Sequence, residues 1–135
     1  MKKLIETALP LIEITASSIG EKIRKGHPGN LHLWWNRSPI VSSVALLYAA
    51  LVDEDQDTEK RSDQTDLLKK LAKNESAAFE QAKDVLKNLK LPFIWDGFSG
   101  FGGLSLACEK LNLQACAGDL NTVATLLTKA VVEFP

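Results

Sequence analysis

A chain of 135 residues, 45% hydrophobic and 24% charged, has the make-up of one ordinary soluble domain, which excludes a disordered tail or a collagen-like repeat. A formal net charge of −1 excludes the basic surplus of a stand-alone nucleic-acid binder, so any contact with DNA needs a local patch or another part of an enzyme. The two cysteines, Cys108 and Cys116, form neither a disulfide framework nor metal-ligand spacing and suit a reducing compartment. No window approaches the ~20 apolar residues of a membrane span. Met1-Lys2-Lys3 resembles the start of a signal peptide, but Glu6 and Glu13 interrupt the apolar stretch it needs, so a cytoplasmic protein is expected.

The opening residues read as helical. Leu4, Ala8, Leu11 and Ile12 recur at helical spacing, and Pro10 forces a break or kink. A second short helix is expected after Thr15 or Ser17, with Ser18 and Glu21 as a capping box and Gly26 as its end. Lys22, Arg24, Lys25 and Arg37 suit a solvated helix face better than a basic patch. Residues 27–39, HPGNLHLWWNRSP, concentrate two His, two Trp, one Arg and two Pro. A clear helix follows: Ser38 is a good N-cap, Pro39 fits the first helical position, and Ile40, Val44, Leu47, Tyr48 and Leu51 form an apolar stripe. Residues 53–64, DEDQDTEKRSDQ, lack periodicity and read as a solvated linker. Leu68, Leu71, Phe79, Ala82, Leu86 and Leu89 mark two amphipathic helices that act as a spacer.

The style then changes. Residues 93–95 form a short apolar run with β-propensity, introduced by Pro92. A glycine-rich turn over 97–103, a helix over 104–111, a strand over 114–117 and a helix over 122–133 complete the chain. The fold class expected from this order is α/β: N-terminal helices followed by the first β-α-β-α of a Rossmann-like, doubly wound sheet. It divides into a helical segment with the His/Trp-rich loop (1–52), a polar linker (53–66), a helical spacer (67–91) and a partial cofactor-binding unit (92–135).

Strand, tight glycine loop and helix N-terminus together suit a nucleotide-like ligand. Gly100 and Gly102 allow close backbone approach, and Ser105 keeps the next position small. Asp119 lies nineteen residues beyond Gly100, at the end of the second strand, where an acid can hold both ribose hydroxyls. Asp96 closes the first strand. A carboxylate there repels a pyrophosphate and attracts the ammonium of S-adenosylmethionine, so it favours that cofactor over a dinucleotide. No G-K-[ST] follows, which excludes a phosphate-gripping P-loop. A helix opening at Ser38-Pro39 would aim free N–H groups at the methionine carboxylate, with Arg37 as its ion partner. Trp34 or Trp35 can wall such a pocket or can simply be core. His27 and His32 lack an evident third ligand, so a metal site is not expected and loop capping is the plainer role.

Two segments, GHPGNLHLWWNRSP and DGFSGFGGLSLA…ACAGDLN, together resemble the N-terminal part of a family of bacterial and archaeal adenine-specific DNA methylases. In that family the second segment reads Asp-Pro-Phe-x-Gly-x-Gly, a small residue, and then Asp-x-Asn-Pro. Asp96, Phe98, Gly100, Gly102, Asp119 and Asn121 match; Gly97 and Thr122 replace the prolines, and Phe101 replaces a common glycine. The resemblance implies S-adenosylmethionine as cofactor. Asp96 would take its ammonium, Phe98 to Gly102 (Phe98, Ser99, Gly100, Phe101 and Gly102) would form the floor, and Asp119 would hold the ribose beside Leu120 and Asn121. Arg37, Ser38, Pro39 and Trp35 would close the far side.

The family reaction transfers a methyl group to the exocyclic amine of adenine through an Asn/Asp-Pro-Pro-Tyr/Phe motif. That motif does not occur here. The chain is therefore expected to be a fragment or split-gene product without catalytic residues, reaching DNA only through the complete enzyme. It should seek the remainder of that enzyme or a second copy of itself, most simply as a homo-oligomer. A non-catalytic interaction or regulatory module is the rival reading, and a dinucleotide-binding fragment is a third.

Overall fold

The structure, a computed structural model, describes residues 2–21, 25–32, 34–35 and 38–134. Helix α1 (Leu4–Thr7) is a single turn. It is anchored by backbone bonds from Leu4 N to Val52 O (3.1 Å) and from Glu54 N to Lys2 O (2.9 Å). The Lys3 ammonium adds contacts to Leu51 O and the Asp53 carboxylate, each at 2.9 Å.

Helix α2 (Leu11–Glu21) starts directly after Pro10. It runs unbroken through Thr15 and Ser17, where a new helix start was expected. Ser18 does not cap. Its hydroxyl donates back to Ile14 O at 2.6 Å, the usual recourse of a serine inside a helix. Glu21 is thereby left to bond elsewhere.

Helix α3 (Ile40–Leu51) is the hub and contacts α2, α1 and two later helices, α4 (Thr58–Ala72) and α6 (Gly103–Lys110). The apolar stripe forms as expected: Ile40, Val44 and Tyr48 are buried, and Leu47 and Leu51 pack at its margin. Helix α4 begins inside the stretch read as linker. Asp57 caps it by accepting from Glu59 N at 3.0 Å, and Gln64 bridges Asp53 O (3.0 Å) and Asp55 N (3.1 Å). Helix α5 (Ser76–Lys87) follows a tight turn in which Asn74 adopts a left-handed conformation (φ 59°). Leu68 and Leu71 of α4, which packs on α3, and Ala82 and Leu86 of α5, which packs on α4, join the same core cluster.

Strand β1 (Ile94–Asp96), α6, strand β2 (Ala115–Ala117) and α7 (Thr122–Val132) end the chain. The strands are parallel, with Ile94 opposite Ala115, Trp95 opposite Cys116 and Asp96 opposite Ala117. Here the expected fold class is overturned. The described residues form seven α-helices and a sheet of only two three-residue strands, so the fold is mostly helical and not a Rossmann-like doubly wound sheet. The reason lies in burial. The core cluster is built from helical side chains and a few loop residues, and no residue of either strand joins it. Trp95 is 65% exposed. Short apolar runs bounded by turn residues do signal strands, but they do not signal that a sheet organises the core.

Tyr48 carries a cost within that core. Its ring is fully buried and its hydroxyl has no hydrogen-bond partner among the described residues, and burial pushes the phenol up to about 12. Tyr48→Phe removes an unsatisfied polar atom while keeping the ring. It should stabilise the protein by about 1 kcal/mol and raise the melting temperature by roughly 3–5 °C in a thermal scan. A lower melting temperature would contradict this. Among the described residues no helix is long and apolar enough to cross a membrane.

Candidate functional site

The glycine loop grows out of β1. Asp96 Oδ1 accepts from Phe98 N at 3.2 Å, a local turn that bends the chain as it leaves the strand. Ser99 N donates to Gly118 O (3.0 Å) and Gly102 N to Ser99 O (2.7 Å), so the loop is stitched both to the end of β2 and to itself. Gly100 (φ 54°) and Gly102 (φ 88°) occupy left-handed conformations that side chains resist. Space matters as much as angle. A Cβ on Gly100 would lie 2.8 Å from Trp34 Nε1, and one on Gly102 would lie 3.0 Å from Val131 and 3.3 Å from the Thr128 backbone. Thr128 Oγ1 donates to Ser99 Oγ at 3.0 Å behind the loop.

Asp119 performs a structural task that its position alone does not reveal. Its Oδ1 accepts from Asn121 N (2.9 Å) and its Oδ2 from Gly100 N (3.0 Å). The amides of Asn121 and then Gly100 hold the carboxyl below its ordinary range. Asp119 thus clamps the glycine loop to the end of β2 and leaves a lone pair open on each carboxylate oxygen.

Asp96 and Asp119 line one cavity of about 380 Å³, walled by Trp34, Phe98 and Phe101 and edged by Ser38 and Ser43. The volume lies in the range of small-molecule sites. No Lys, Arg or His occurs among the described lining residues. Two carboxylates with aromatic walls suit a ligand that carries an ammonium, hydroxyls and a flat ring. They disfavour a pyrophosphate, which would face both negative charges.

The expected residues divide between those gathered at this cavity and those left out. Ser38, Asp96, Phe98, Ser99, Gly100 and Asp119 line it. Gly102 instead packs against α7. Trp35 is 94% exposed and Leu120 96% exposed, and neither reaches the cavity. Asn121 caps α7 through Val123 N at 2.9 Å. Arg37 lies outside the described residues, as do Lys22 and Arg24. Trp34 is both core and wall: it packs on the hydrophobic cluster and lines the cavity. Phe101, within the predicted floor, lines it as well, while sequence reasoning missed Ser43, Gly103 and Leu104, which α3 and the start of α6 bring to the site. No sequence spacing announces that placement.

The N-terminus of α3 differs from expectation in its partners. Pro39, not Ser38, is the capping position, and it supplies no side-chain bond. The free amides are taken by a distant residue: Glu21 Oε1 accepts from Ile40 N (3.1 Å) and Glu21 Oε2 from Val41 N (3.2 Å). His27 Nε2 donates to the same Oε1 at 2.7 Å, while its Nδ1 accepts from Gly29 N at 3.0 Å. Both ring nitrogens are thereby engaged in the neutral tautomer. A carboxylate already fills the place proposed for the methionine carboxylate. His27 is a loop-capping residue, His32 is exposed, and no group of three potential metal ligands occurs among the described residues.

No curated protein and no solved structure matches the chain. A family model described as a protein of unknown function (DUF1156) matches residues 8–80, a segment that holds Glu21, His27, Trp34, Ser38 and Ser43 and stops before Asp96 and Asp119. The chain belongs to that family.

Proposed function

We propose that the cavity between the glycine loop and Trp34 holds S-adenosylmethionine, and that this chain is the cofactor-binding portion of an adenine-specific DNA methyltransferase acting in the cytoplasm. The reading rests on the motif resemblance at residues 96–121. One observation carries it: the carboxylates that close two adjacent parallel strands share a single small cavity with an indole and no cationic side chain among its described lining residues. Asp96 Oδ2, the oxygen not engaged by Phe98 N, would take the ammonium. Asp119 would accept from ribose hydroxyls while the backbone amides keep it ionised. The cofactor supplies an electrophilic methyl group. The motif that holds an adenine amine is absent from these 135 residues, so the reaction at the base belongs to residues outside them.

Asp96→Asn is the discriminating variant. The amide oxygen still accepts from Phe98 N, so the turn survives while the charge is lost. Affinity for S-adenosylmethionine should fall roughly ten- to a hundredfold by calorimetry, the usual worth of a charge-assisted hydrogen bond. An unchanged affinity would remove Asp96 from the site and the reading with it.

A second reading draws on a separate observation. Trp35, Phe98 and Leu120 are among the most exposed side chains of the chain, and Phe93 and Trp95 are also mostly uncovered. Apolar surface of this kind favours docking on a partner, either the rest of an enzyme or a second copy. Light scattering at low micromolar concentration should then give a mass above that of one chain. A clean monomer would contradict self-association.

A further inference from the structure

A second cleft, of about 720 Å³, shares no residue with the cavity at Asp96. It lies between the end of α2, the loop leading to Pro28, the start of α3, the end of α4 and the last turn of α6. Three lysines from three different elements line it. Lys25 sits in the loop, Lys73 caps the C-terminus of α4, and Lys110 ends α6. None of the three forms an ion pair or side-chain hydrogen bond among the described residues. The Lys110 ammonium rests 5.2 Å from the centre of the Phe79 ring, which restrains it without neutralising it.

Two acids share the cleft with these lysines. Glu21 keeps its charge but is held in place by the Ile40 and Val41 amides and by His27, and Glu109 is exposed to solvent. Three lysines against two acids give the described lining residues a net positive charge in a chain whose net charge is −1.

We propose that this cleft takes the phosphodiester backbone of a nucleic acid. A single phosphate is ordinarily gripped by an arginine fork or by converging backbone amides, and the cleft offers neither among its described residues. Three point charges spread around a wide opening match a series of phosphates instead. The inference is independent of the cofactor reading, because the two sites share no residue and are tested with different ligands.

The test uses the whole chain and fluorescently labelled DNA of about 12 base pairs, followed by anisotropy as salt rises from about 50 to 200 mM. Three phosphate contacts predict a slope of about −2.7 in log affinity against log salt, at about 0.9 per contact, and hence roughly a fortyfold loss across that range. The variant Lys25→Ser, Lys73→Ser, Lys110→Ser should lose binding at low salt. Lys73 and Lys110 also sit at helix C-termini, where cations favour the helix dipole, so thermal melting accompanies each variant. If the triple variant unfolds, Lys25→Ser alone, outside any helix, should still make the slope shallower by about 0.9. Single-stranded DNA of the same length, inorganic tripolyphosphate and anionic lipid vesicles complete the set. Binding to either DNA with the predicted slope supports the proposal. Four results would overturn it: no binding near 100 µM at low salt, unchanged binding by folded lysine variants, capture of tripolyphosphate alone, or capture of vesicles alone.

Discussion

Gly100→Ala should destabilise the protein by about 2–5 kcal/mol and abolish binding at the Asp96 cavity. Two costs combine. A side chain in the left-handed region costs roughly 1–2 kcal/mol. The new methyl would also lie 2.8 Å from Trp34 Nε1, and relieving that contact displaces an indole packed on the core, at roughly 1–3 kcal/mol. The shift carries function with it, because Gly100 N anchors Asp119 and Trp34 walls the cavity. Thermal melting and tryptophan emission read both effects. Gly97→Ala is the control: its new methyl meets only the edge of the largely exposed Trp95 ring, which can swing away. If Gly100→Ala melts with the wild type, the packing argument for the loop fails.

Glu21→Ala should cost about 2–3 kcal/mol, an unusually large penalty for a residue at the end of a different helix. Its carboxylate satisfies two amides at the start of α3 and accepts from His27. Those amides sit where α3 enters the core, and Ile40 and Val41 are buried. Loss of a helix cap costs typically ~1 kcal/mol, and the charge-assisted bond to His27 adds to it. Glu21→Gln keeps acceptor oxygen for one amide, so it should recover about half of the loss. Denaturant unfolding separates the two variants. An alanine variant as stable as the wild type would mean that water replaces Glu21 without cost.

How far the sequence disclosed this molecule depends on the range over which each signal acts. The apolar stripe of α3 was legible because helical spacing reports on a buried face directly. The glycine loop was legible too, since only a few residue types tolerate the conformations of Gly100 and Gly102. Asp96 and Asp119 could be picked out as acids ending successive strands. That Asp119 is already bound by Gly100 N was not visible, because the bond spans nineteen residues. Glu21 was read as part of a local capping box, yet its partners lie nineteen and twenty residues away. Trp34 and Trp35 are neighbours of identical chemistry, so spacing alone does not say which of them the cavity receives. The fold class failed for a related reason. Two apolar runs with turn residues between them predict strands, but the helices took the core.

We propose that the cavity at Asp96 and Asp119 recognises S-adenosylmethionine through its two carboxylates. Parallel calorimetric titrations with S-adenosylmethionine and with NAD test it most directly. Saturable binding of S-adenosylmethionine, weakened in Asp96→Asn, with no heat from NAD is the predicted result. Equal binding of NAD, or no binding of S-adenosylmethionine to the folded chain, would contradict it.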